Sequence, residues 1–190
     1  MVRIQYIDDV SGNFQETHGS DSRLNVSSRA DGRGYYNSRD ENESYTLLFN
    51  DANCTAGDII VHLQNKKTDG KHLVLRSIGI NSDSASEWDI VTVTGTAGGG
   101  AVAATATNIN FAGITKKATV TANTVVDSDT TPISNLTSVD EFDHLAVIAG
   151  GHEEFRFQDQ VRLGEGQAVA VRCKTGTGVS GFGVIYFYFE

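Results

Sequence analysis

An all-β fold is predicted for this 190-residue chain by three features of its sequence. Val-Thr-Val-Thr alternation and its relatives recur from Tyr45 onward, the period-2 pattern of strands whose two faces meet different surroundings. No window carries a sustained apolar stripe at helical spacing. Thr, Ser, Val, Asn, Asp and Gly crowd the same region, the mixture of short strands joined by tight turns. With 39% hydrophobic residues, 20 Gly and 1 Pro, the chain can build one sizeable core and is neither disordered overall nor collagen-like.

Residues 1 to 44 differ from the rest. One short apolar alternation, Val2, Ile4 and Tyr6, is followed by NFQETHGSDSRLNVSSRADGRGYYNSRDENES, which has too few large apolar residues for a core of its own. The expectation is an N-terminal arm that lies on a partner, because ordering a polar segment costs about 1–2 kcal/mol per residue in backbone entropy alone. Arg29, Arg33 and Arg39 bracket Tyr35 and Tyr36, an Arg/Tyr mixture typical of protein contact surfaces, and these five are the candidate partner-binding residues of the arm.

From Tyr45 to Glu190 a strand-built domain is expected. Tyr45 to Phe49 reads as the first strand and NDANCTAGD as a loop. In the next strand Ile59, Val61 and Leu63 oppose Ile60, His62 and Gln64. KKTDGK, with its Asp69-Gly70 pair, predicts a hairpin returning through His72 to Ile80. Ser82 to Ser86 is a loop, and Trp88 to Thr94 a strand with Trp88 and Ile90 on one face and Val91 and Val93 on the other. TAGGGAVAATATNINFAG follows as an excursion with close backbone approach. It is no phosphate loop, for it lacks the following helix and the Lys or acidic ribose ligand. Further strands are expected over Lys116 to Val125, His144 to Ala149 and His152 to Phe157, with an acidic turn from Val126 to Pro132 and another turn within Gln160 to Glu165.

The close, QAVAVRCKTGTGVSGFGVIYFYFE, predicts a terminal hairpin around Gly176, Gly178 and Gly181. Its first run has Val169, Val171 and Cys173 on one face and Ala168, Ala170 and Arg172 on the other. Its second run is apolar on both faces, Phe182, Val184, Tyr186 and Tyr188 alternating with Gly183, Ile185, Phe187 and Phe189. A strand of that kind needs cover on both sides, from a second layer or a second copy of the chain. Phe182, Tyr186, Phe187, Tyr188 and Phe189 are therefore the candidate oligomer interface.

The charge and the motifs exclude several functions. A formal net charge of −9 argues against the phosphate backbone of nucleic acid as a partner. No apolar run reaches the length of a bilayer span, and the start has no leader pattern, so synthesis in the cytoplasm is expected. Cys54 and Cys173 read as free, buried thiols. His144, His152, Glu153 and Glu154 lie close in sequence, but on a strand only His152 and Glu154 share a face, and two ligands do not make a metal site. Asp127, Asp129, Asp140, Glu141 and Asp143 lack the rest of a calcium loop. No nucleophile elbow is present, so the expectation is a protein that is not an enzyme and uses no cofactor or metal.

Taken together, SRADGRGYYNSRDENESYTLLF, LQNKKTDGKHLVLRSIGI, WDIVTVTGTAGGG and RLGEGQAVAVRC with its aromatic final strand resemble small structural proteins of tailed bacteriophages. The resemblance implies an antiparallel β-sandwich, a jelly roll, mounted on the virion as a capsid decoration (cement) protein, a head fibre or a tail component. The last two strands are also similar to those of trimeric jelly rolls of the tumour-necrosis-factor type, in which the final strand approaches the threefold axis. The resulting expectation is a non-enzymatic virion protein, residues 45–190 forming a homotrimer and residues 1–44 docking on the major capsid protein or another virion protein. The alternative is a receptor- or carbohydrate-binding fibre tip with Trp88, Tyr or Asp residues in a concave patch.

Overall fold

The structure, a computed structural model of the chain, describes residues 43–109 and 133–190, and the backbone pairing of 5–7, 14–16 and 122–126. The chain divides into two compact units, 1–31 and 32–190. In the first, strand β1 (Gln5–Ile7) pairs antiparallel with β2 (Phe14–Glu16), a ladder the sequence reading did not contain. The candidate arm residues Arg29, Arg33, Tyr35, Tyr36 and Arg39 lie outside the described residues.

Among its described residues the second unit is all-β, with eleven strands in two antiparallel sheets packed against each other. They are β3 (Ser44–Thr55), β4 (Ile59–Asn65), β5 (Leu73–Ser82), β6 (Ser86–Gly99), β7 (Val102–Ala103), β8 (Thr107–Asn108), β9 (Ala122–Val126), β10 (Ile133–Val147), β11 (His152–Leu163), β12 (Ala168–Thr175) and β13 (Thr177–Phe189). The five-stranded sheet runs β11-β5-β13-β3-β8 and the six-stranded sheet β10-β6-β12-β4-β9-β7. Apart from the short β7, β8 and β9, the chain passes from one sheet to the other at every step except β6 to β10. Eight long strands wound this way make the jelly roll expected of the sequence.

Two predicted hairpins are corrected by this winding. β12 and β13 belong to opposite sheets, and the ladder partners of β13 are β3 and β5. β4 and β5, on either side of Asp69-Gly70, are likewise in opposite sheets. A glycine turn that reverses a chain within a sheet and one that arches it across a core have the same composition, so pairing over long sequence distance decides between them. Gly176, at φ 148°, makes the β12–β13 arch, and its carbonyl accepts from Ala56 N at 3.1 Å.

Inside the sandwich the alternating faces meet. Trp88, Leu47, Leu63, Leu75, Ile78, Val169, Val171, Ile185, Phe187 and Phe189 form the main core. Tyr45 stacks on Phe187 at 5.6 Å between centroids, and the indole of Trp88 donates to Ser86 Oγ at 2.8 Å. The expected division of β6 is observed, with Trp88 and Ile90 inside and Val91 and Val93 outside. The outer residues join Ile59, Ile133, Ala168 and Ala170 in a second cluster, against which Ala97, Ala101 and Leu136 pack. The apolar side chains of that face of the six-stranded sheet are thus buried within the chain itself.

β4 departs from simple alternation. Ile60 enters the main core with Val61 and Leu63, while Ile59 turns to the outer cluster. The β4–β12 register shifts between Val171 and Arg172, opposite this point, and a one-residue irregularity exchanges the faces of a strand. Several strands also run longer than expected, among them β6, which spans Ser86–Gly99 rather than Trp88 to Thr94. β3 continues to Thr55 through the predicted loop, β10 begins at Ile133, eleven residues before His144, and β11 reaches Leu163.

Candidate functional site

The outer face of the five-stranded sheet is built from three cross-strand rows over β3, β13, β5 and β11. They run Asn50–Phe182–Asn81–His152, Leu48–Val184–Gly79–Glu154 and Thr46–Tyr186–Ser77–Arg156. The β3 and β13 end is apolar and open, with Leu48 72%, Phe182 47% and Tyr186 38% exposed. The β11 end is polar, and Glu154 accepts from Arg156 Nε at 2.5 Å. Hydrogen bonds from Arg156 and then Ser77 hold the Glu154 carboxyl below its ordinary range. Gly79 leaves a gap in the middle row, and the His152 ring lies 3.0 Å from where a Cβ would stand. Beside the rows a cleft of about 440 Å³ is lined by Ser44, Arg76, Ile109 and Tyr188.

The five residues expected at a subunit contact therefore separate. Phe182 and Tyr186 face outward, whereas Phe187 and Phe189 are buried in the core around Tyr45, and Tyr188 is buried where β13 ends opposite Ser44. Phe187 and Phe189 are corrected to core residues, because the sheet they complete needs its inner face filled. Leu48 belongs to the exposed face instead. Its signal was the Leu47-Leu48 pair, which puts one leucine on each side of β3.

A second cluster lies on the outer face of the six-stranded sheet. The fully buried Asp89 on β6 receives Arg172 at 2.7 Å, His144 Nδ1 at 3.0 Å and Lys174 at 3.2 Å, and Glu141 joins through Lys174 at 2.8 Å. Burial raises the Asp89 carboxyl, but hydrogen bonds from Arg172, His144 and Lys174 outweigh it and hold the group below its ordinary value. Asp89, Glu141 and His144 offer atoms within 4.8 Å of one another, which is metal-ligand spacing. Two cations already occupy those oxygens, so the arrangement fits an ion-pair network joining β6, β10 and β12 better than a site for a divalent ion. His152, Glu153 and Glu154 take no part in it, being on the other sheet. Asp127 and Asp129 lie outside the described residues.

A third charged group marks the start of the described body. Glu43 is 1% exposed and its carboxylate accepts from Lys67 at 3.1 Å and Lys71 at 2.5 Å, both from the β4–β5 arch. Lys67 also stands 4.9 Å from the Phe189 ring centroid.

Cys54 and Cys173 are free and buried. Burial drives both thiols up, Cys173 to about 11, which leaves them protonated and unreactive at neutral pH. Trp88 is 0% exposed, so the sugar-stacking patch expected around it is corrected: the indole fills the core. Searches among protein-family models, curated proteins and solved structures find no match to the chain.

Proposed function

We propose that the chain is a non-enzymatic structural protein of a tailed-phage virion, most specifically a capsid decoration (cement) protein. It self-associates as a homotrimer through the outer face of its five-stranded sheet and docks through residues 1–44 on the major capsid protein or another virion protein. The observation that carries this reading is the asymmetry of the two outer faces. On one, the apolar Ile59, Val91, Val93, Ile133, Ala168 and Ala170 are buried, and the other leaves Leu48, Phe182 and Tyr186 open in adjacent rows. Exposed large apolar residues grouped on one face mark a contact surface. The phage setting rests on the resemblance of the sequence phrases, and the buried thiols suit packing better than nucleophilic work. Several copies joined at their sheets and anchored by their arms detach only together, an avidity gain of roughly 10²–10⁴-fold.

Co-sedimentation with capsids lacking the protein tests the docking. The full-length chain is compared with a copy beginning at Glu43, which keeps the buried carboxylate and all of β3. Pelleting of the full-length chain alone, with both chains trimeric, is the expected result. Failure of both to pellet removes the head assignment and brings a tail or receptor-binding role forward.

A further inference from the structure

At one end of the sandwich a cleft of about 750 Å³ opens between β10 and β11, which are edge strands of opposite sheets. Its size is that of a small-molecule site. Its lining is unlike the core it continues. Alternation along β6 puts Thr92 and Thr94 on the side that carries Trp88 and Ile90 into the core, so the inward face turns from apolar to hydroxyl-bearing as it reaches the cleft. Two exposed apolar side chains of β10, Val139 at 57% and Phe142 at 38%, stand at the rim.

The backbone around this cleft is irregular on both sides. β10 shifts register between Ser138 and Glu141 and again between Glu141 and Asp143. β11 fits Phe157 to Gln160 opposite Arg76 alone, with Gln158 at φ 48° and Asp159 at φ 63°. Left-handed conformations are costly for residues with side chains and cluster at binding sites. Bulges of this kind also blunt an edge against an added strand, so a peptide docking by backbone pairing is disfavoured.

The polar groups are held ready. Gln64 donates through Nε2 to Gly166 O at 2.8 Å, which leaves Oε1 as an acceptor, and Gln167 accepts from Gly164 N at 2.7 Å, which leaves its NH₂ as a donor. The Arg162 guanidinium is already paired with Glu190 at 2.6 Å, and Asp140 adds a carboxylate, so the charges of this lining favour a neutral ligand over an anion. Paired donors and acceptors beside a carboxylate suit hydroxyls, which both give and take hydrogen bonds, and an exposed ring suits the apolar face of a pyranose.

We infer that this cleft binds a neutral oligosaccharide, with Phe142 as the stacking platform and Asp140, Gln64 and Gln167 as hydrogen-bond partners. The inference does not rest on the virion reading, and either can fail without the other.

The test is an array of neutral, uronate-bearing and sulfated oligosaccharides probed with the full-length protein, followed by calorimetric titration of the best-retained glycan. A neutral glycan is retained, and Phe142→Ala and Asp140→Ala each weaken it about tenfold, the loss of one good contact. Ala85→Ser, at an exposed position outside this lining, leaves the calorimetric affinity unchanged. Asp140 is exposed, so its variant stays informative should Phe142→Ala disturb the Phe142–Phe157 ring pair. Retention of charged glycans alone, no retention of any glycan, or affinity unchanged in both variants overturns the inference.

Discussion

His62 is 1% exposed on the outer side of β4, opposite Ala170, and neither ring nitrogen has a hydrogen-bond partner among the described residues. Burial, and after it the positive charge of Lys66, lower its pKa from 6.5 to about 4. The unfolded chain takes up a proton as pH falls through 6.5, while the folded chain resists until about 4. The stability that the neutral ring allows is therefore present above 6.5 and lost toward 4, by about 3 kcal/mol in all. Asp89 contributes little to that loss, since its carboxyl titrates below its ordinary 3.8. Urea denaturation between pH 7 and pH 4 should show the fall, and His62→Leu should flatten it. An equal fall in the variant would assign the acid lability elsewhere. Sequence alternation put His62 on a face with Gln64, which is correct, but composition could not reveal that the small Ala170 beside it lets the ring be sealed in. Gly183 illustrates the same limit: a Cβ there would stand 2.0 Å from the carbonyl oxygen of Gly79, a contact between β13 and β5 that no local pattern encodes.

At the scale of elements, β6, β10 and β12 are tied by one buried carboxylate. Asp89→Ala should cost about 3 kcal/mol, because it removes the buried carboxylate and leaves the half-buried Arg172 only its longer 3.5 Å contact with the exposed Glu141. Glu141→Ala, at an exposed partner of the same cations, should cost under about 1 kcal/mol. Equal losses from chemical denaturation of the two variants would contradict a network centred on Asp89. None of this was legible beforehand, because the acidic stretch before His144 has no apolar alternation and reads as a loop. As an edge strand β10 does not need one: its outward residues meet solvent, and its ladder to β6 supplies the order. The doubly apolar character of β13 was legible, and so were the faces of Trp88 and Val91. The two supposed hairpins were misread because turn chemistry is local and sheet membership is not.

For the whole molecule, the all-β class and the jelly-roll winding follow from period-2 patterning, a lack of helical stripes, and a final strand rich enough in aromatics to take the centre of its sheet. The winding buries the apolar side chains of one outer face and leaves Leu48, Phe182 and Tyr186 of the other open, and the proposed assembly goes through that open face. Light scattering of the purified full-length chain at micromolar concentration tests it most directly, alongside Leu48→Asp. A mass near three times 20.4 kDa is expected for the native chain and 20.4 kDa for the folded variant. A native chain that stays monomeric, or a variant that still forms trimers, would contradict it.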